Sequence, residues 1–287
     1  MENYSYLQAS KIRLPIRIYG SAKEITKIHL GEISTVLIES TAVSITTSLL
    51  AELTKKKVKV IFCDDKRNPS SELISYYGSH DTSNKVRKQI QWSQNIKEAV
   101  WTEIVTEKIR KQKEFLESLG KEEAKLLESY LNEIAWKDET NREGHAAKVY
   151  FNALFGLDFT RTADNLINAS LNYGYSIILS AFTREITANG YITQLGLFHD
   201  NMFNQFNFAS DLMEPFRVLI DKKVVNMHLE QFEQEEKMQL VNVLNEEIKI
   251  NGKIQYVNNA IKIYCKSVFD ALNENDSSLL RFYTFEL

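Results

Sequence analysis

Apolar and polar residues alternate along the first part of the chain. Over Lys11 to Tyr19, Ile12, Leu14, Ile16 and Ile18 take one face of a strand and Arg13 and Arg17 the other. Pro15 places this strand at an edge or a bend. Val36 and Ile38 share a side over Thr35 to Glu39, and Val58, Val60 and Phe62 alternate with Lys59 and Ile61. Between these strands Ile45, Leu49 and Leu53 fall at helical spacing over 41–56. Thr41 is available as a cap, and Lys55, Lys56 and Lys57 suit the helix C-terminus. Asn68-Pro69-Ser70-Ser71 and Gly78-Ser79-His80-Asp81 are turn-forming clusters. From Asn84 the pattern becomes helical. It predicts one long helix over 86–119, with Ile90, Val100, Ile104 and Ile109 inward, and then helices over 122–136, 141–156, 162–189, 211–225, 229–247 and 257–272. The fold class is α+β: a small N-terminal β-rich, sandwich-like domain (1–72), a linker (73–84) and a larger C-terminal all-α domain (85–287).

Composition sharpens this picture modestly. At 287 residues the chain is comfortable for two domains, and 44% apolar with 25% charged residues is ordinary for a globular protein. Two cysteines, Cys63 and Cys265, lie far apart in apolar runs, which fits a reducing compartment rather than a disulfide framework. The Met1 end has no signal-peptide pattern, and no apolar run reaches membrane-spanning length. A net charge of −3 excludes a uniformly basic nucleic-acid binder, so polyanion binding must use local patches. Residues 55–113 hold twice as many basic as acidic residues, while 230–247 is strongly acidic. Arg87, Lys88, Lys108 and Lys111 are placed on outer helix faces. They read either as solvated surface or as a strip that tracks a nucleic-acid backbone, with Gln89, Gln91 and Trp92 interleaved.

Candidate chemistry starts at the helix 141–156. Ala146, Ala147, Tyr150, Phe151 and Leu154 make its buried stripe, and Glu143 stands on the same face. A lone buried carboxylate wants a metal, a cation or a proton; the plainer reading is a first-turn Glu that favours the helix N-terminus. His199 ends the apolar run 195–198 and reads as a loop histidine or a ligand. Asp211 and Glu214 are three apart, which suits either a capping box or two rigid carboxylates. Together Glu143, His199, Asp211 and Glu214 suit Mg²⁺ or Mn²⁺, with the nitrogen arm favouring Mn²⁺. Asn165, Asn168 and Asn172 form an amide stripe, read as an interhelical network or as support for the ligands. Gly174 suits close helix packing.

The stretches REGHAAKVYFNALFG, LINASLNYGYSIILSAFTREITANG, LGLFHD and ASDLMEPFR, in this order, closely resemble the CRISPR-associated protein one family, the integrase of spacer acquisition. The compact length is similar to the type II form. The resemblance implies Glu143, His199 and Glu214 as catalytic metal ligands for Mg²⁺ or Mn²⁺. It also implies Asp211 beside the metal; His145 reads as packing or as support behind the ligands, not as a ligand, and the amide stripe makes Asn168 and Asn172 candidate support. Arg142 and Lys148 are candidate DNA contacts flanking the site. It implies dimerisation through the β domains, a dimer of the family-two protein flanked by two such dimers, and other type II adaptation proteins, including the effector nuclease, as further partners. It implies double-stranded DNA substrates, namely the spacer precursor and the CRISPR repeat, a prokaryotic cytoplasmic location and no membrane. The implied reaction joins a spacer 3′-hydroxyl to the repeat by metal-dependent transesterification, with associated endonuclease activity. Two rival readings are a metal-dependent DNA repair nuclease and a non-catalytic DNA-binding scaffold.

Overall fold

A computed structural model describes residues 28–33, 35–65, 68–76 and 79–285 in full, and the backbone of short strands at 5–7, 14–16 and 26–27. Of the strand predicted over 11–19, residues 14–16 are strand and the rest lies outside the described residues. The chain divides into two compact units: residues 1–80 with 187–189, and residues 81–186 with 190–287.

The first unit contains β1 (Ser5–Leu7), β2 (Leu14–Ile16), β3 (Thr26–Ile28), β4 (Thr35–Ile38), β5 (Val43–Ile45), α1 (Thr47–Lys55), β6 (Lys59–Cys63) and β7 (Pro69–Leu73). Its described strands form three small ladders: β1 beside β5, β2 beside β3, and β4–β6–β7. β4 and β6 run parallel, with α1 in the connection. Leu49 and Leu53 of α1 bury themselves with Ile38, Val58 and Val60. The helix starts later than predicted, because Thr46 rather than Thr41 caps it, its hydroxyl accepting from the Leu49 N–H at 3.3 Å. The predicted turn at 68–71 is instead mostly strand. β7 lies antiparallel on β6 at the sheet edge, and Pro69 takes its first position, where a missing N–H costs little.

The second unit contains α2 (Thr82–Gln91), α3 (Gln94–Ser118), α4 (Ala124–Glu133), α5 (Arg142–Phe155), α6 (Leu166–Ala188), α7 (Asn207–Leu212), α8 (Arg217–Met227), α9 (Gln234–Val241), β8 (Glu247–Ile250), β9 (Lys253–Tyr256), α10 (Val257–Glu274) and β10 (Tyr283–Thr284). The long helix predicted over 86–119 is two helices. Ser93 caps α3 by accepting from the Ile96 N–H at 3.3 Å. Trp92 leaves the helix to pack on Tyr191 and Phe208. Ile90, predicted inward, is therefore exposed, while Gln89 is buried with its amide clasping the backbone of Ile192 and Leu195.

α3 runs through the middle of this unit, and α4, α5, α8 and α10 pack on it. Val100, Trp101, Ile104, Val105, Ile109 and Leu116 supply its core contacts. Burial on several sides also takes in Glu107, Lys108 and Lys111, so the outer-face placement of the last two is corrected: they are 7% and 1% exposed. Gly174 of α6 sits where a Cβ would lie 2.5 Å from Ile220 Cγ2 of α8, so close packing requires the glycine. The unit is mostly helical as predicted, with one addition, the antiparallel sheet β10–β8–β9. Asn251 and Gly252, both at positive φ, turn the β8–β9 hairpin. The predicted helix 229–247 accordingly shrinks to α9. Cys63 and Cys265 are both buried. Among the described residues no helix is long and apolar enough to cross a membrane.

Candidate functional site

α5 opens one wall of the site. Asp138, in the turn before it, accepts from the backbone N–H groups of Arg142 (2.7 Å) and Glu143 (3.0 Å) and so fixes the helix start. Glu143 follows in the first turn, with its carboxylate bonded to the Lys108 ammonium. The same ammonium lies 2.5 Å from Glu214 Oε2. Two carboxylates 71 positions apart thus meet on one nitrogen supplied by α3.

Glu214 opens a 3-10 turn, Glu214–Phe216, with Pro215 in its first positions. Its Oε1 accepts from Arg217 Nε at 3.0 Å. Its Oε2 is buried and has the Lys108 charge beside it but no aligned hydrogen-bond donor. Burial pushes the Glu214 carboxyl up, but Arg217 and Lys108 outweigh it and hold the group down at about 2. Burial likewise works against the Lys108 ammonium, and Glu214 and then Glu143 overcome it, so its pKa is raised.

Asp211 does not open a helix as the capping-box reading required. It lies inside α7, fully buried, and holds the loop that carries the histidine. Its Oδ2 accepts from the N–H groups of Leu197 (2.5 Å) and Phe198 (3.1 Å), and its Oδ1 from the His199 N–H (3.1 Å). His199 Nδ1 lies 2.5 Å from the same Oδ1. A carboxylate only accepts, so the proton of this bond sits on Nδ1 and Nε2 is left as the free ring nitrogen. The Asp211 bond raises the His199 pKa, burial opposes it, and the charges of Asp211, Glu214 and Glu143 add to the rise. Gly196 makes the tight loop feasible: a Cβ there would lie 2.4 Å from the His199 carbonyl oxygen and 2.7 Å from Asp211 Oδ2. Trp101 of α3 stacks on Phe198 at 4.5 Å and meets the His199 ring edge-on at 5.7 Å.

Behind Glu214 lies a buried polar chain. Arg217 packs over the Tyr175 ring at 4.7 Å, and Tyr175 and Tyr150 both donate to Asp221, the latter at 3.0 Å. Burial pushes the Asp221 carboxyl up to about 6, against the pull of Tyr175, Tyr150, Arg217 and Arg161. Arg161 lies over the opposite neighbours, Tyr175 and Phe151, and is held by the side-chain carbonyls of Asn168 and Asn172, the latter at 2.8 Å. Asn168 also donates to the carbonyls of Thr160 and Ala163, both at 2.8 Å. Asn165 accepts from the Asn168 N–H and caps α6. The amide stripe is therefore a structural network; Asn168 and Asn172 bond to Arg161 and the loop before α6, not to the candidate ligands.

The family model for CRISPR associated protein Cas1 matches residues 1–249. The chain belongs to that family. The CRISPR-associated endonuclease Cas1 of Neisseria meningitidis serogroup C (strain 8013) is 35% identical over 202 residues, covering 70% of this chain and 66% of that one, just under two thirds of its length. The CRISPR-associated endonuclease Cas1 1 of Francisella tularensis subsp. novicida (strain U112) is 24% identical over 257 residues, 82% of this Cas1-family chain and 80% of that protein. A casposase bound to integration product shares the fold at a TM-score of 0.75 and 17% identity, over 95% of this chain and 90% of the other. A Cas6-RT-Cas1–Cas2 complex gives 0.72 at 18% identity, covering 96% of this chain but 34% of that longer one.

Within this Cas1 fold, the predicted residues do not all fall where the sequence placed them. Glu143 and Glu214 converge, and His199 lies within their electrostatic reach. Yet among the described residues no three His, Cys, Asp or Glu side chains surround a single point. The reason is local: Lys108 fills the space between the carboxylates, and the histidine ring is turned onto Asp211. Lys108 is thus corrected from a candidate DNA contact to a member of the site. Lys111 is corrected too; it pairs with Glu107 (3.2 Å) and Glu114 (2.8 Å). Arg142 pairs with Glu133 at 2.8 Å and covers the Tyr130 ring, facing α4. Arg87, Lys88 and Lys148 are exposed, and His145 packs near Tyr130. Trp101, Lys108 and Arg217 were the site members not legible in advance. The donor set is of the kind a hard divalent cation takes: two carboxylates already share a cation, one buried oxygen lacks an aligned donor, and a carboxylate-oriented imidazole lies within their electrostatic influence.

Proposed function

We propose that this chain is a CRISPR adaptation integrase that joins the 3′-hydroxyl ends of spacer DNA to the repeat by metal-dependent transesterification, with associated DNA endonuclease activity. The observation that carries the reading is the convergence of Glu143 and Glu214 on one cation beside a histidine oriented by Asp211. The endonuclease names of the bacterial relatives and the integration product held by the casposase support it.

Glu143 and Glu214 would hold the Mg²⁺ or Mn²⁺, and His199 would offer Nε2 as the nitrogen arm. An ion held there would supply Lewis-acid polarisation of the scissile phosphate. Asp211 fixes the histidine tautomer and keeps the loop 197–199 in place. Arg217 holds Glu214 ionised, ready to receive a cation. No side chain forms a covalent bond to DNA: the 3′-hydroxyl oxygen attacks phosphorus, its proton passes to solvent or a base, and the repeat's bridging oxygen leaves with its electron pair.

The proposed assembly is a homodimer joined through the first unit, with two dimers flanking a Cas2 dimer on double-stranded DNA. Cas1–Cas2 complexes among the solved relatives of this fold support that partner. Type II adaptation proteins, including the effector nuclease, are the further partners, and the prokaryotic cytoplasm is the setting. A strand-joining assay tests the function, using a short duplex, a supercoiled repeat plasmid, the Cas2 partner and Mn²⁺. Joined strands are expected from the parent, and at least a hundredfold fewer from Glu143→Gln and His199→Ala. Nicks without joining would leave a nuclease, and full joining by both variants would overturn the site.

A further inference from the structure

Two cations offset the paired carboxylates without any metal. Glu143 and Glu214 bring two negative charges, and Lys108 and Arg217 bring two positive ones. Lys108 reaches from the second half of α3 into the gap between the carboxylates and is 7% exposed. Burying an ammonium is costly unless partners compensate, and here both partners are the proposed metal ligands. The dependence is mutual. Glu214 is 2% exposed, and without Lys108 it would face Glu143 with only Arg217 to offset the pair.

We propose that Lys108 is an internal counter-ion that competes with the divalent metal for Glu143 and Glu214. Its ammonium holds the two carboxylates together in the metal-free protein and leaves that position when the metal arrives. This rests on the reading that these carboxylates hold the metal. Lysine suits the role: it is a compact point charge on a flexible four-carbon stem, so Nζ can move several ångströms while α3 stays fixed. Two consequences follow. The metal-free carboxylate pair is offset by the chain's own cations, which agrees with the convergence of the two carboxylates on Nζ. Metal affinity is also lower than the same ligands would give without the lysine, because each binding event must displace an ion pair.

Calorimetric titration of the full-length chain with Mn²⁺, paired with urea unfolding in EDTA, tests this. Lys108→Gln and Lys108→Met are expected to bind Mn²⁺ at least tenfold more tightly than the parent. Both should be less stable than the parent in EDTA, with Mn²⁺ closing the gap. Lys108→Arg keeps the charge and should bind no more tightly than the parent. If the methionine variant does not fold, the glutamine variant carries the test, since its amide can still donate to a carboxylate. Equal or weaker Mn²⁺ binding by the neutral variants would overturn the competition while leaving the metal site standing. No Mn²⁺ binding by the parent or by either variant would overturn both.

Discussion

Asp221 sits at the end of a chain of contacts that reaches Glu214 through Tyr175 and Arg217. Its carboxyl ordinarily ionises near 3.8, and burial raises it to about 6 in the folded protein. Between those values the folded state keeps a proton that the unfolded chain has released. The stability from this residue is therefore fully present below about 3.8 and is lost as pH rises through about 6. At about 1.4 kcal/mol per pH unit, the gap corresponds to about 3 kcal/mol. Asp221→Asn removes the titration. Urea unfolding at pH 4.5 and pH 7.5 should find the variant gaining on the parent by about 2 kcal/mol across the interval, since part of the effect has already developed by pH 4.5. Parallel pH dependence in the two proteins would rule this out. Arg217, one neighbour away, keeps a permanent charge, so the carboxylate of Glu214 remains ionised across the same range.

At the level of elements, the site is assembled by α3, α5, the loop 197–199 and the turn 214–216, with β10 behind the last of these. Tyr283 of β10 is fully buried, packs on Phe216 at 4.7 Å and donates its hydroxyl to the Pro215 carbonyl at 2.9 Å. Tyr283→Phe leaves that carbonyl without its donor next to Glu214. A loss of about 1–3 kcal/mol is expected, read by urea unfolding at pH 7.5. Much of this architecture was legible in advance. The stripe Ala146, Tyr150 predicted α5, the helical pattern over 162–189 predicted α6, and Glu143 was placed on an inward face. What the pattern hid has physical causes. Side-chain clasps by Gln89 and Trp92 ended α2 in a run whose periodicity continues. The Asn251-Gly252 hairpin signal was present, but lay between strongly helical stretches. Lys108 and Lys111 read as surface because lysine burial depends on partners, here Glu143, Glu214, Glu107 and Glu114, that only the tertiary fold brings near.

Across the whole molecule the net charge of −3 means that DNA affinity must come from particular patches. With Lys108, Lys111 and Arg142 committed to internal partners, Arg87 and Lys88 of α2 and Lys148 of α5 are the exposed members of the predicted set. Replacing Arg87 and Lys88 together by alanine should weaken duplex binding uniformly across sequences. It should also lower the slope of log affinity against log salt by about 2, measured by fluorescence anisotropy at several salt concentrations. An unchanged slope would place the DNA elsewhere. The bond from Tyr283 to Pro215 also has a consequence for biosynthesis. A ribosome releases residue 214 long before residue 283, so a nascent chain displays its acidic turn without the strand that braces it. The turn that carries Glu214 therefore gains its full bracing only once the chain has been made as far as Tyr283.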